Sequence, residues 1–280
     1  MSHIPYDYMK ILTAALSVSI SGGDQLHGAR VACEPFVFEA LKNRYGRALD
    51  MHFDLCTIPK VSDKALVIVE RRCHANLEFC IKNAVFFNPG FALHIFCSKA
   101  NFEFVKLICG KHLHSIHIHV TMDGLGSPAE GREEYNKMLR TRKFWEELSE
   151  EHLILFETDC YFLRPVPPTI FAYDYVAAKW AWMPDAAGGG GLSYRKRSVM
   201  LDICDRYARE ETVMQDCFAS EGIAALGYKY PSVEENAKLF TESCMSECAA
   251  GTHQWWTFLI RGDVQQMLQI IHNYLKLAMD

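Results

Sequence analysis

The chain has 280 residues, 50% of them hydrophobic and 22% charged. That composition excludes disordered, collagen-like and coiled-coil classes and fits one large domain or two small ones. With 29 basic and 34 acidic side chains the net charge is −5, so no global field draws nucleic acid or an anionic membrane, and any phosphate must be met by a local site. Eleven cysteines, without a Cys-x-x-Cys pair, sit mostly in apolar runs such as Phe96-Cys97 and Ile108-Cys109. They read as reduced, packed thiols in a cytoplasmic setting. Cys244 and Cys248 are spaced like a pair but lack further metal ligands nearby.

In chain order, Ile11 to Ile20 is apolar but interrupted by Thr and Ser, shorter than a bilayer needs and without a basic region before it. Neither a signal peptide nor a membrane span is expected. Residues 1–60 read as an N-terminal extension with one amphipathic helix between Glu34 and Leu49 and no catalytic constellation. From Ala65 the texture changes. Ala65-Leu66-Val67-Ile68-Val69 is a continuous apolar run, as in a parallel strand covered on both faces. Leu77, Ile81, Ala84 and Val85 recur at helical spacing up to Pro89-Gly90, and Leu93 to Cys97 is strand again. Asn101 is placed to cap a helix carrying Phe102, Val105 and Cys109 and ending at Gly110, before the alternating strand Ile116 to Val120.

A loop with Gly124, Gly126, Pro128 and Gly131 leads to a helix carrying Tyr135, Met138, Leu139, Trp145 and Leu148. A fourth strand, His152 to Phe156, ends in Glu157-Thr158-Asp159. Tyr175 to Ala178 is a further strand. Gly188 to Gly191 reads as a loop before a helix from Lys196 to about Ala208, a second helix begins near Gln215-Asp216, and a last one carries an apolar stripe from Val264 to Ala278. Alternating strands and helices imply a wound α/β sheet, in one domain over residues 61–280 plus the extension.

Polar residues at the carboxyl end of a parallel strand lie where open α/β sheets bind ligands. Glu157 and Asp159 offer two carboxylates there, suited to Mg²⁺ or Mn²⁺ and hence to a diphosphate, although a turn acceptor or cap would look the same. The glycine run lets backbone approach a ligand, or is a flexible turn; it has neither dinucleotide nor P-loop order. Asp216 is either a helix cap or a partly desolvated general base. His253 is a third metal ligand, a diphosphate contact or a hydrogen-bonded histidine, with Trp255-Trp256 as a sugar-stacking wall. Glu70-Arg71-Arg72 either holds a phosphate or base carbonyl at the ligand edge or is solvated surface. His112, His114, His117 and His119 alternate with Leu113, Ile116 and Ile118 and read as one exposed strand face.

In order, Val67-Ile68-Val69-Glu70-x-Arg72, Asn76-Leu77-Glu78-Phe79, Phe144-Trp145, Phe156-x-Thr158-Asp159, Gly190-Gly191-Leu192-Ser193-x-Arg195, Gln215-Asp216-x-Phe218 and His253-x-Trp255 form a set. This set resembles a family of glycosyltransferase-like proteins, a domain of unknown function frequent in large DNA viruses of algae and amoebae. The similarity spans about residues 61 to 260. It implies a GT-A type, Rossmann-like α/β domain with a mostly parallel central sheet flanked by helices. It also implies a UDP-sugar donor and a divalent ion, Mn²⁺ or Mg²⁺, held by an Asp-x-Asp-like motif. Asp159 matches that motif, while Glu157 departs from its usual Asp. Gln215-Asp216 looks like the Glu-Asp pair that supplies the base of inverting members. His253-Gln254-Trp255 resembles the His-x-Pro-Trp segment of some retaining ones.

The resemblance therefore assigns Asp216 as catalytic base, Glu70, Arg72, Thr158, Gly190, Gly191, His253 and Trp255 to the donor, and Asp159, Glu157 and His253 to the metal. The whole chain looks most like chlorovirus members that assemble the capsid-protein glycan, which implies xylosyl transfer from UDP-xylose to a glycan or glycoprotein acceptor. The rival readings are a sugar nucleotidyltransferase and a non-catalytic sugar-binding module derived from a transferase.

Overall fold

In the computed structural model, which describes residues 4–21, 24–124, 126–207 and 213–279, two helices come first, α1 (Tyr6–Ser21) and α2 (Gln25–Leu55). The chain then alternates through β1 (Lys64–Glu70), α3 (Leu77–Phe87), β2 (Ala92–Ser98), α4 (Phe102–Cys109) and β3 (His117–Met122). Helices α5 (Pro128–Leu139) and α6 (Arg142–Glu146) lead to β4 (His152–Phe156), β5 (Cys160–Phe162), β6 (Tyr175–Ala178) and β7 (Gly189–Lys196). The remainder is helical except for two short strands: α7 (Arg197–Arg206), α8 (Gln215–Ala225), α9 (Val233–Asn236), β8 (Phe240–Thr241), β9 (Gly251–His253) and α10 (Val264–Tyr274).

The main sheet has the order β3-β2-β1-β4-β7-β6. Pairings among β3, β2, β1 and β4 are parallel, and β7 is antiparallel to both its neighbours, so five of the six strands share one direction. This is the mostly parallel, helix-flanked α/β sheet expected from sequence. The apolar run in β1 is continuous because both faces are covered: Leu66 and Ile68 enter one core with α2 and α3, Ala65 and Val67 the other with α6 and α7. A second sheet, β5-β9-β8, continues from the end of β4. Its strands are three residues or fewer, too short for a periodic signal in sequence.

Several expectations are corrected. The helix expected over 34–49 is the middle of a 31-residue helix, and α1 precedes it. Helices α1 and α2 bury Ile11, Leu12, Val37, Phe38 and Leu41 in the same core as the sheet. The helix expected from Tyr135 to Leu148 is two helices, α5 and α6. Of Gly188 to Gly191, expected as a loop, only Gly188 is one, with a φ of 108°; Gly189 opens strand β7, which runs to Lys196 before α7. The expected last residue of α7, Ala208, lies outside the described residues.

The histidines are not one exposed face either. His112 is buried with Nε2 2.6 Å from the Phe53 carbonyl, His117 Nε2 lies 2.8 Å from the Lys60 carbonyl, and His119 stacks on Phe96. Asn101 does not cap α4. Its side chain accepts from the Ser98 amide and donates to the Glu70 and Arg72 carbonyls, which fixes the turn where β1 ends.

Candidate active site

The carboxyl ends of β1 and β4 are adjacent, since these strands pair in register from Lys64↔His152 to Ile68↔Phe156. Beyond Phe156 the chain turns, with Cys160 N bonding to the Glu157 carbonyl, and enters β5. There Cys160 pairs with His253, and the Gln254 amide donates to the Asp159 carbonyl at 3.1 Å. Gln254 takes a left-handed φ of 33° to do so. Two segments almost a hundred residues apart are thereby locked together, and Asp159 and His253 become neighbours.

Asp159 is buried between two cations. Its Oδ2 accepts from Arg30 Nη2 at 2.8 Å, and its Oδ1 lies 3.4 Å from His253 Nε2. Burial opposes its ionisation, but His253 and then Arg30 outweigh that and hold its pKa well below the usual carboxylate range. His253 Nδ1 in turn lies 3.4 Å from Glu242 Oε2. Burial works against the imidazolium, yet the two carboxylates on either side hold its pKa well above the ordinary value.

Ligand atoms of Asp159, Cys160 and His253 lie within 4.8 Å of one another. The Cys160 thiol is pushed up well above its usual range by burial and donates to the Gly191 carbonyl at 2.9 Å, so it stays protonated. The carboxylate of Asp159 remains, and the His253 imidazolium becomes a second ligand only by releasing its proton as an ion binds. Two protein ligands, with other positions left to phosphate oxygens, fit an Mn²⁺- or Mg²⁺-diphosphate complex. Glu157 stands outside this group: its Oε1 accepts from the Tyr135 hydroxyl at 2.9 Å, and burial, with the charge of Asp159, pushes its pKa up to about 7.

Next to Asp159 lies a cavity of about 370 Å³. Arg30, Arg71, Arg72 and Arg132 line it together with Glu70, Tyr135, Glu157 and Thr158. Its chemistry suits an anion. Glu70 is not free to meet a ligand, because its carboxylate takes a bidentate bond from Arg72 (2.8 and 2.7 Å) and faces the Thr158 hydroxyl at 3.4 Å. It orients Arg72, whose own side chain is 60% exposed. Arg30 and Glu34, one turn apart on α2, reach the same region from the extension. Glu34 accepts from Asn76 Nδ2 at 3.0 Å, and burial, then the charge of Asp159, pushes its pKa up to about 7.

The glycines of β7 are crowded, not open to a ligand. A Cβ on Gly190 would come within 2.5 Å of Gln215 Nε2 and 2.8 Å of Asp216 Cβ, and one on Gly191 within 2.3 Å of His253 Nε2. The ladder is irregular here: Ala177 pairs with Ser193 but Ala178 with Gly189, so residues 190–192 bulge from β6. Asp216 lies in the first turn of α8 but does not cap it: the N-cap position is Met214, and Asp216 Oδ1 accepts from the next amide, Cys217 N, at 2.8 Å.

Trp255 and Trp256 are fully buried and form no sugar-stacking wall. Trp255 Nε1 donates to the Tyr161 hydroxyl and its ring stacks on Tyr274, while Trp256 Nε1 donates to the Arg30 carbonyl. The donor role expected for Trp255 is thus corrected to a packing role.

The sequence reading missed Arg30, Glu34, Tyr135 and Glu242. For the first two the signal was a charged pair four residues apart. A second set, His94, His117 and Glu150, also brings ligand atoms within 4.8 Å. There the rings of His94 and His117 stack at 4.4 Å with a 9° tilt, and in-plane lone pairs of parallel imidazoles do not converge on one ion.

Residues 126–259 match the family described as Protein of unknown function (DUF5672). No curated protein matches the sequence. Among solved structures, the mannosyltransferase PcManGT from Pyrobaculum calidifontis in complex with GDP-Man and Mn²⁺ is similar with a TM-score of 0.45 and 11% identity, over 96% of this chain and 82% of that one. The apo-form glycosyltransferase GlyE of Streptococcus pneumoniae TIGR4 is similar with a TM-score of 0.43 and 11% identity, over 78% of this chain and 65% of that one.

Proposed function

We propose that this chain is a glycosyltransferase that moves a sugar from a nucleoside-diphosphate donor, UDP-linked, to a sugar hydroxyl of a glycan or glycoprotein acceptor. The observation that carries this is the buried Asp159–His253 pair, 3.4 Å apart, beside an arginine-lined cavity at the carboxyl edge of the sheet. In this reading residues 61–280 are the transferase domain and residues 1–60 an extension that lends it Arg30 and Glu34.

Asp159 and His253 would hold a divalent ion, which, when bound, neutralises charge on the departing diphosphate. Arg72, oriented by Glu70, and Arg30 supply guanidinium donors to phosphate oxygens. Asp216 takes the proton from the acceptor hydroxyl. The acceptor oxygen then bonds to the anomeric carbon as the bond to the diphosphate breaks, and UDP leaves with the electron pair. That is direct displacement with inversion. Xylosyl transfer from UDP-xylose, in cytoplasmic assembly of a viral capsid glycan, is the finer form of the same proposal.

The test is UDP release from a panel of UDP-sugars, UDP-xylose included, with Mn²⁺ present. Donor-selective release is expected, abolished by chelator and lowered about a thousandfold by Asp159→Asn. Release that persists with chelator would remove the metal role, and nucleotide-sugar binding without release would favour a binding module.

A further inference from the structure

A transferase needs a surface for its acceptor, and the buried Trp255 and Trp256 cannot provide it. Another tryptophan pair stands in the loop between β6 and β7. Trp182 is 57% exposed and lies over Trp180, ring centroids 6.2 Å apart and nearly parallel at 14°. Tryptophan is highly buried on average, and a large exposed indole calls for an explanation.

Its backbone is held firmly. Ala181 N donates to Ser243 Oγ at 2.9 Å, Met183 N to the Trp180 carbonyl at 3.0 Å and Ala186 N to the Met183 carbonyl at 3.1 Å. Lys179, itself 1% exposed, donates to the Ala186 carbonyl at 2.6 Å and closes the loop. A rigid loop carrying an exposed ring loses little entropy on binding.

Three contacts join this loop to the candidate site. A Cβ on Gly189 would meet the Trp180 indole nitrogen at 2.5 Å, one residue before the glycine that faces Asp216 and two before the one that faces His253. Alternate residues of a strand share a face, so Gly189 and Gly191 put Trp180 and His253 on the same side of β7, about 7 Å apart along it. The Trp182 ring also packs on Phe258, in the turn that follows His253, at 6.4 Å. Ser243, which holds Ala181, directly follows Glu242, the partner of His253.

We infer that Trp182, backed by Trp180, is a stacking platform for a sugar ring of the acceptor. The apolar face of a pyranose matches an indole in size, and its rim hydroxyls stay in water, which suits a half-exposed ring better than an enclosed pocket. The inference rests on the glycosyltransferase reading for the word acceptor, though not for the binding of sugar.

The test is saturation-transfer NMR on the full chain with cellobiose, xylobiose, mannobiose and N,N′-diacetylchitobiose, with UDP binding measured in parallel. At least one disaccharide is expected to bind the wild type, about tenfold more weakly to Trp182→Ala, with recovery in Trp182→Phe. UDP affinity should not change, and Tm should fall by only a few degrees, the loss of the ring contacts with Trp180 and Phe258. Equal disaccharide binding by wild type and Trp182→Ala, or no disaccharide binding by a wild type that binds UDP, overturns the platform. Disaccharide binding that needs Trp182 in a protein that binds no nucleotide supports the platform and sinks the transferase reading instead.

Discussion

Arg30 Nη2 meets Asp159 Oδ2 at 2.8 Å across 129 positions of sequence. The contact places a cation from the second helix on the carboxylate proposed to hold a metal. Arginine and metal compete for the same oxygen, while the guanidinium also lines the cavity proposed for the diphosphate.

Opposite effects on ion and donor follow for Arg30→Ala. Mn²⁺, titrated by electron paramagnetic resonance without nucleotide, should bind more tightly than to the wild type. The KM for nucleotide sugar should rise about tenfold, as expected for one charge-assisted contact to phosphate. A variant with unchanged affinity for both would show that the pair is only structural.

Gly191→Ala tests the crowding in β7. The added methyl needs space now filled by the His253 ring, 2.3 Å from its position, and the ring is hemmed between Asp159 and Glu242. A stability loss of about 1–3 kcal/mol is expected, read by chemical denaturation, together with loss of Mn²⁺ binding. Gly46→Ala, with nothing within 4 Å of the new Cβ, is the control.

Glu34 gives a pH signature. Its folded pKa is raised to about 7 from 4.5, so the folded state holds this proton more tightly than the unfolded one. Its contribution to stability is therefore fullest below about 4.5 and declines as pH rises through 7. Glu34→Gln keeps an acceptor for Asn76 and removes that decline. Its Tm should match the wild type at pH 5 and exceed it at pH 8.

Trp255→Ala should behave as a core variant. The ring is fully buried against Tyr274 and bonded to Tyr161, so a loss of about 3–5 kcal/mol is expected. Trp182→Ala, which removes only the contacts with Trp180 and Phe258, should cost about 1 kcal/mol or less.

Where burial on both faces or helical periodicity dominates, the fold was legible: β1, β2 and β4, and the start of α8 at Gln215, fall as the apolar pattern predicts. The carboxyl edge of β4 was legible too, because polar residues after a buried strand have few other reasons to be there. What the sequence hid is convergence. Nothing local brings His253 to Asp159, since β5 and β9 are three residues each and their pairing is set by tertiary contact. Arg30 lies in a helix whose own pattern is weak, with Pro35 inside it. The glycine run misled because flexibility and close packing demand the same residue. In β7 the missing side chains make room for Trp180, Gln215 and His253, and only Gly188 belongs to the loop before it.

The long second helix has one more consequence. Phe38 meets Phe79, Tyr161 and Trp256 edge-on at 5.8, 6.1 and 5.8 Å, so the first sixty residues roof an aromatic cluster whose other members belong to the rest of the chain. A fragment starting at Val61 would bare those rings to water and lose Arg30 as well. Trimming this enzyme candidate to its sheet would therefore yield a sticky, aggregation-prone remnant in place of a minimal catalyst.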